Sequence, residues 1–232
     1  MESFLLDSAA RFSSIDPAAA PSRDAPIRLG TVQIGALRFN GLVAGVSRIS
    51  NSSRAALGAP ADGVLGQELF SLFPVLINYD PCSITVFRDG PSARAALPAG
   101  AREAPLHMMR GLPELDATFD GDSAARLVVD TASDADVDVT REFASGSAVA
   151  FTLTSMQNRR WLPSGAMSGE RARVRTLTLG PLSFDRPSVG IFRMGVPSGG
   201  VAGYVGNGLL QRYAMLLDEP DSTAAFAEEQ NR

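Results

Sequence analysis

The sequence predicts an all-β protein built from two related halves, and three observations lead to this prediction. Short apolar or alternating stretches recur along the 232 residues and are separated by Gly, Pro, Asp and Asn, which is the pattern of strands joined by turns. Helical periodicity is scarce, and its best candidates begin at Gly66 and Gly206. Two segments of the first half recur in the second half in the same order.

The composition is that of a folded globular protein and excludes several classes of function. Hydrophobic residues make up 45% and charged residues 20%, and the net charge of −4 comes without a basic cluster that would bind nucleic acid. No apolar run approaches the roughly 18 to 20 residues that span a bilayer, so we expect no membrane segment in this chain.

The reactive side chains are few. The single cysteine, Cys82, excludes an internal disulfide and a multi-thiolate metal site, and we interpret it as a small packed residue. The single histidine, His107, lies in a stretch rich in Pro, Gly and Ala, and we interpret it as solvated or capping rather than catalytic. No phosphate-binding loop is indicated, because Gly63-Val64-Leu65-Gly66 lacks the lysine and the spacing.

The predicted elements can be followed along the chain. The predicted strands are TVQIGALRF, VLINYD, SITVF, ARLVVD, AVAFTLTS and RTLTLGPLSF, and the predicted helices are GQELFSLF and GNGLLQRYAMLL. Between Arg88 and Gly111 the strand pattern gives way to Ala, Pro and Gly, which predicts an interdomain linker. The chain after Asp218 is acidic and polar, and we expect it to fray.

An internal repeat relates the two halves. Gly30–Phe39 aligns with Arg175–Phe184, and Asp62–Asn78 aligns with Ala202–Asp218. Each copy of the second segment holds two hydrophobic residues and a glycine, VLG ending at Gly66 and YVG ending at Gly206, ahead of a predicted short helix.

Each half also places an aspartate at the end of an apolar run. The motif is an Asp, a hydroxyl residue and an alanine, and its copies are Asp7-Ser8-Ala9 and Asp130-Thr131-Ala132. Either copy alone could be an ordinary strand end capped by an Asx turn. Two copies in register with the repeats favour a pair of deliberately placed carboxylates.

With these motifs the chain resembles the retropepsin-like and pepsin-like aspartic peptidases, in which two related lobes each contribute an Asp-Thr/Ser-Gly loop. The resemblance implies a first lobe over residues 1–88, a linker over 89–111, a second lobe over 112–218 and a polar tail over 219–232. It implies a monomer in which the two lobes pair, a peptide or protein substrate, and no metal or organic cofactor.

The resemblance assigns catalysis to Asp7 and Asp130, facing each other across the lobe interface. Two carboxylates held this close share a proton and titrate as a pair. The charged member activates a water that attacks the peptide carbonyl, and the protonated member hydrogen-bonds the carbonyl oxygen. We therefore expect proteolytic activity on the acidic side of neutral.

Supporting roles follow from the same resemblance. The hydroxyls of Ser8 and Thr131 would lock the two loops together, and the segments that end at Gly66 and Gly206 would pack beneath them. Ser133 is expected to hydrogen-bond the outer oxygen of Asp130. The first motif has Ala10 in the place of Ser133, which predicts that the two aspartates are not equivalent.

The third motif position departs from the family, because Ala9 and Ala132 stand where the family has glycine. A methyl group there narrows the cleft or shifts the turn. Two functions therefore stay open: an aspartic endopeptidase that accepts a slightly displaced substrate, or a catalytically silent relative that binds peptides or acts as a scaffold.

The start of the chain also departs from the family. The second lobe has a leading hairpin with an Asp-Gly turn, whereas only Met1 to Leu6 precede Asp7, so the first strand of lobe one is expected to be missing. A truncated sequence or a misassigned start codon would explain this. The sequence indicates no compartment, and a removed leader would place the protein in the periplasm or outside the cell.

The hairpin that closes over substrate in this family is predicted only in the second lobe, between Ala150 and Thr176, with PSGAMSGE as its tip. Trp161 would then reach over the cleft, or else lie partly buried on the surface. The acids of DADVD do not complete a calcium loop, and we interpret them as a solvated loop edge.

Overall fold

A computed structural model of the chain describes residues 3–22, 26–162, 165–195 and 200–228. Within these ranges the protein is built mostly from strands, with five short helices. The predicted all-β class is confirmed. None of the helices in the described ranges is both long and apolar enough to cross a membrane.

The first half contains nine strands and two helices in the described residues. The strands are β1 (Phe4–Leu6), β2 (Ser14–Ile15), β3 (Ile27–Arg28), β4 (Thr31–Ile34), β5 (Leu37–Asn40), β6 (Val43–Val46), β7 (Gly63–Leu65), β8 (Val75–Tyr79) and β9 (Cys82–Val86), and the helices are α1 (Asn51–Leu57) and α2 (Gln67–Phe70). One sheet has the order β1-β7-β2-β6-β3, and β4 and β5 form a separate hairpin.

The remaining elements follow in chain order. They are α3 (Gly90–Ala95), β10 (Arg102–Pro105), β11 (His107–Met109), β12 (Leu112–Phe119), β13 (Ser123–Val129), β14 (Val137–Thr140), α4 (Arg141–Gly146), β15 (Thr152–Leu162), β16 (Gly165–Arg173), β17 (Thr176–Leu179), β18 (Leu182–Asp185), β19 (Ser188–Phe192), β20 (Val201–Val205), α5 (Asn207–Leu210), β21 (Tyr213–Asp218) and β22 (Thr223–Glu228). The large sheet has the order β15-β16-β19-β14-β20-β13-β12-β17-β18, with β11 beside β12.

Strand order and direction agree between the two halves. The run β1-β7-β2-β6-β3 corresponds to β13-β20-β14-β19-β16, with parallel and antiparallel neighbours in the same sequence. In both runs the strand that ends before the motif aspartate lies parallel to the strand that ends before Gly66 or Gly206. Because neighbouring parallel strands end at the same edge of a sheet, each aspartate is placed beside its glycine.

A third sheet joins the halves, with the order β10-β22-β21-β8-β9. Strand β21 runs antiparallel to β8 and pairs Met215 with Ile77 and Leu217 with Val75. Both faces of β21 are buried, because Met215 and Leu217 join the main core while Leu216 packs in a smaller cluster with Ala93 of α3. Burial on both faces places β21 in the apolar interior of the molecule, whereas the edge strands β9 and β10 are mostly exposed.

Several expectations are corrected here. The segment 219–228 does not fray, because β22 pairs with β21 on one side and β10 on the other and buries Ala224 to Ala227. The stretch 89–111 holds a helix and two strands. Of the predicted helix GNGLLQRYAMLL only Asn207–Leu210 is helical, since a continuous apolar run fits a buried strand equally well. Cys82 is exposed at the start of β9 rather than packed.

Candidate active site

The two motif aspartates occupy matching positions. Asp7 follows β1 and its backbone N–H donates to the carbonyl of Leu65 at 2.9 Å. Asp130 follows β13 and its N–H donates to the carbonyl of Val205, also at 2.9 Å. Each aspartate is thus held against the end of the parallel strand next to its own, at the same edge of its sheet.

Each motif loop turns back on its own carboxylate. The N–H of Ala9 donates to Oδ1 of Asp7 at 2.8 Å, and the N–H of Ala132 donates to Oδ1 of Asp130 at 3.0 Å. These are Asx turns, which fix one carboxylate oxygen and leave the other for a further partner. The Asx turn considered from sequence is therefore present in both loops, and it orients the two acids.

Ser8 and Thr131 link the loops reciprocally. The N–H of Ser8 donates to Oγ1 of Thr131 at 3.0 Å, and the N–H of Thr131 donates to Oγ of Ser8 at 3.2 Å. Each hydroxyl then donates across the interface, Ser8 to the carbonyl of Val129 at 2.6 Å and Thr131 to the carbonyl of Leu6 at 2.8 Å. Both hydroxyls are buried, so these four bonds are shielded from water.

Gly66 and Gly206 lie beneath the loops, and neither position tolerates a side chain. A β-carbon on Gly66 would collide with the carbonyl oxygen of Ala10, and one on Gly206 would collide with the side chain of Ser133. The next backbone N–H in each half, of Gln67 and of Asn207, donates to the carbonyl of that same loop residue at 2.9 and 2.7 Å.

Sequence patterns did not single out the amide side chains of Gln67 and Asn207. Nε2 of Gln67 donates to the carbonyl of Ser8 at 2.7 Å, and Nδ2 of Asn207 donates to the carbonyl of Thr131 at 2.8 Å. The sequence does contain a signal for these two residues, because each directly follows the glycine of the repeated segment and both have carboxamide side chains. Each amide therefore supports the motif loop of its own half from below.

These amides also bond across the interface between the halves. Nε2 of Gln67 donates to Oε1 of Glu219 at 3.1 Å, and the hydroxyl of Tyr79 donates to Oδ1 of Asn207 at 2.7 Å. Glu219 and Tyr79 come from the opposite half in each case. Nothing in their sequence context marks them, because the contacts exist only once the central sheet has formed.

Burial and mutual charge shift the acidity of the pair. Burial and the nearby charge of Asp7 raise the pKa of Asp130 to about 7, although the charge of Arg160 works against this shift. Burial also raises the pKa of Asp7, against the hydrogen bonds from Ala9 and Ala10. Burial is the larger cause for Asp130, and the added effect of Asp7 is the one expected when a second carboxyl lies nearby.

Ser133 has different partners from those expected. Its hydroxyl accepts from the N–H of Ala135 at 3.3 Å and from the guanidinium of Arg160, in place of the expected bond to the outer oxygen of Asp130. Its location explains the change, because it lies over Gly206 and faces the strand that carries Arg160. The loop of Asp130 therefore contacts Arg160 through the hydroxyl of Ser133, whereas Ala10 in the loop of Asp7 has no hydroxyl.

The acids of DADVD are not simply a solvated edge. Asp134 is exposed, but Asp138 is 5% exposed and its Oδ2 lies 2.8 Å from Nε of Arg160. Asp136 accepts from the N–H of Ser188 at 2.9 Å. All four residues of β14 are buried, so Asp138 is buried as well, and the cation of Arg160 compensates for the burial of its carboxylate.

Arg160 belongs to the long hairpin of β15 and β16, which occupies the region where the sequence predicts the substrate-covering hairpin. Helix α1 of the first half lies beside both strands, so the hairpin extends across to the other half. The expected tip PSGAMSGE spans residues 163–170. Of these, residues 163–164 lie outside the described residues, as does the side chain of Trp161, and residues 165–170 belong to β16.

Ala9 and Ala132 are both partly buried. Ala9 packs with Tyr204 against a small apolar cluster of Leu112, Val128 and Val201, which belongs to the second half. The methyl group of Ala9 is therefore used in packing between the halves. Among the residues that the structure describes, no group of three His, Cys, Asp or Glu side chains is arranged to hold a metal ion.

Comparisons with known proteins add little to this geometry. No family model matches the chain, and no curated protein matches it. Among solved structures, a retropepsin-like aspartic protease from Rickettsia conorii is similar to it with 14% identity and a TM-score of 0.39, covering 55% of this chain and 99% of that one.

Proposed function

We propose that the chain is an aspartic endopeptidase that hydrolyses peptide bonds with a water activated between Asp7 and Asp130. One observation carries the proposal: Ser8 and Thr131 hydrogen-bond to each other's loop, which supports an arrangement with the two aspartates side by side. Burial and then the charge of Asp7 raise the pKa of Asp130, which is the electrostatic effect expected of a neighbouring acid. In this proposal the two halves are copies of one lobe, and their pairing within one chain makes the site.

The proposed chemistry uses one proton shared by two carboxyls. In the proposed active state Asp130, whose pKa is about 7, holds the proton, and Asp7 carries the charge that draws a proton from the attacking water. The protonated Asp130 donates a hydrogen bond to the peptide carbonyl oxygen as the tetrahedral intermediate forms. Arg160, behind the loop of Asp130 and absent from the loop of Asp7, makes the two acids chemically distinct.

The test is cleavage of a mixed peptide library between pH 3 and pH 8 by the chain and its Asp130→Asn variant. We expect the rate of cleavage to fall as the pH rises through about 7 and a statine-type inhibitor to block it. Asp130→Asn should lower this rate by a factor of at least about 10³. Asp122→Asn, an exposed change of the same chemistry in the β12–β13 turn, is the matched control and should retain activity.

Ala9 and Ala132 favour the alternative of a catalytically silent peptide-binding or scaffold protein, because they place two methyl groups where the resembled family has none. A folded wild-type chain that binds a statine-type inhibitor or library peptides but cleaves none would support that alternative. Equal cleavage by the wild type and by Asp130→Asn would reject the dyad itself.

A further inference from the structure

Two exposed residues, Arg11 and Phe12, follow the motif loop of Asp7. Phe12 is 76% exposed and belongs to none of the apolar clusters formed by the described residues. A single exposed apolar side chain is ordinary in a folded protein. Packing within the chain, however, does not account for a phenylalanine at this position, so a role toward a ligand has to be weighed from its surroundings.

The backbone is held on both sides of the Arg11–Phe12 pair. Before the pair, the carbonyl of Ala10 accepts from the N–H of Gln67 at 2.9 Å. After it, Ser13 is 1% exposed, and its N–H and its hydroxyl both donate to Oε2 of Glu68 at 2.7 Å. The two exposed side chains are therefore presented from a fixed backbone, as residues that position a ligand need to be.

The matching position in the second half carries the opposite charge. Ser133 stands in the place of Ala10, and the next residue is Arg11 in the first half and Asp134 in the second. Asp134 is exposed, but it pairs with Arg160, so its charge is balanced. Arg11 forms no ion pair with any residue that the structure describes. An unbalanced positive charge thus lies beside the first motif loop and not beside the second.

The side chain of Tyr204 relates Arg11 to the aspartate pair. Tyr204 packs with Ala9 of the first motif loop against one apolar cluster. Burial and the charge of Asp130 raise the pKa of Tyr204, and the charge of Arg11 opposes this rise. Two charges that act on one phenol lie in the same neighbourhood. A peptide held over the aspartates would therefore pass within reach of Arg11.

We propose that Arg11 and Phe12 are specificity residues, which bind an acidic side chain of a peptide and an apolar side chain next to it. The proposal rests on the proposed function and names the substrate class of that same site. A guanidinium binds a carboxylate through two parallel hydrogen bonds, and the exposed ring of Phe12 supplies apolar contact area beside it.

The place of the acid in the substrate follows from the chain. Arg11 comes four residues after Asp7, a separation of at most about 14 Å. An extended peptide rises about 3.3 Å per residue, so the acid should lie within about four residues of the cleaved bond. The preference should apply to one side of that bond only, because Asp134 and Arg160 together carry no net charge on the other side.

The test measures cleavage and binding of one mixed peptide library at pH 6, where Asp and Glu side chains are ionised. Mass spectrometry of the fragments made by the wild type should show Asp and Glu enriched at least about threefold at a position on one side of the cleaved bond. The enrichment should fade at about 0.5 M salt and below about pH 4, since salt screens the ion pair and acid protonates the substrate carboxyl. Library peptides retained by the Asp130→Asn variant should show the same enrichment.

Variants of the two exposed residues identify the source of the preference. Arg11→Glu should replace the acidic enrichment by one of Lys and Arg, both in cleavage and in binding. Arg88→Glu, the same change at an exposed residue between β9 and α3, is the matched control and should keep the acidic enrichment. Phe12→Ser should lower the enrichment of apolar residues next to the acid. Because all three positions are exposed, we expect each variant to fold with the Tm of the wild type.

The outcomes separate this proposal from the proposed function. Cleavage without an acidic enrichment, or with one that Arg11→Glu leaves unchanged, would overturn the proposal while the peptidase stands. An enrichment that depends on Arg11 among bound peptides, with no cleavage by the wild type, would support the proposal and reject proteolysis. A library that is neither cleaved nor bound would overturn both.

Discussion

Ser8 and Thr131 each accept a hydrogen bond from the backbone of the other, at 3.2 and 3.0 Å, although 123 residues separate them. Each hydroxyl also donates to the strand that precedes the other residue, at the carbonyls of Val129 and Leu6. The two aspartate loops consequently cannot separate without exposing or orphaning four buried polar groups. This reciprocal contact couples the relative position of the loops to the folding of both halves.

Thr131→Val should test that coupling, because valine keeps the shape of threonine and removes only its hydroxyl. The change leaves the N–H of Ser8 and the carbonyl of Leu6 without their partner, at an expected cost of about 1–3 kcal/mol in the free energy of unfolding. Urea denaturation measures the loss. We also expect peptide cleavage to fall more than tenfold, since the acids lose their relative placement.

Thr178→Val is the matched control for this change. Thr178 lies on β17 with its side chain exposed, so the same substitution should change the free energy of unfolding by less than about 0.5 kcal/mol. If Thr131→Val cost no more than Thr178→Val, the buried hydroxyl would not be what holds the loops together.

A second prediction concerns the pH dependence of stability. The pKa of Asp130 is about 7 in the folded protein and near 3.8 in the unfolded chain. Its ionisation is therefore disfavoured by folding, and the wild type should lose stability as the pH rises from about 4 to about 7. Asp130→Asn removes this loss, so the variant should exceed the wild type in stability at pH 8 by about 1–3 kcal/mol.

Urea titrations at pH 4.5 and pH 8 would check this. At pH 4.5 the wild type and Asp130→Asn should differ little, because Asp130 is protonated in the wild type. Asp122→Asn, in an exposed turn, should show no such change between the two pH values. An Asp130→Asn variant that is less stable than the wild type at pH 8 would contradict a raised pKa of Asp130 in the folded protein.

The sequence was sufficient to predict the all-β class and to align the motif residues, because both depend on local spacing. Asp7 and Asp130 end apolar runs, and Gly66 and Gly206 recur in register, so each is readable without tertiary structure. Glu219 and Tyr79 could not be predicted, since they reach the site only through the central sheet. Arg160 was equally hidden, because its partner Asp138 is recognisable as buried only after β14 is placed.

The third prediction concerns Arg160. Arg160→Met leaves Asp138 buried without its cation, which should cost about 3–5 kcal/mol in the free energy of unfolding. It also removes a positive charge that lowers the pKa of Asp130, so the fall of activity on the basic side should move to higher pH. The pH profile of cleavage measures a shift that a purely structural role would not produce.

A double variant separates the two effects of Arg160. Adding Asp138→Asn to Arg160→Met removes the unpaired buried charge of Asp138. The double variant should therefore recover about half or more of the stability that Arg160→Met loses. The shift of the pH profile should be smaller in the double variant than in Arg160→Met, because Asp138→Asn removes a negative charge that raises the pKa of Asp130. Arg48→Met, an exposed change, is the control, and an unchanged pH profile in Arg160→Met would show that Arg160 only anchors the hairpin.

The last prediction concerns Glu219, which lies beneath the first motif loop. Burial raises its pKa to about 7, although Gln67 donates a hydrogen bond to Oε1, and Oε2 is buried without a hydrogen-bond partner among the described residues. In the unfolded chain the carboxyl of Glu219 ionises near pH 4.5. Glu219 should therefore lower the free energy of unfolding progressively from about pH 4.5 to pH 7. Glu219→Gln should raise the free energy of unfolding by about 1–3 kcal/mol at pH 8 and leave it nearly unchanged at pH 4. Glu142→Gln, an exposed change on α4, is the control and should have the same effect on stability at both pH values. If Glu219→Gln were no more stable than the wild type at pH 8, Glu219 would be ionised in the folded protein at no cost.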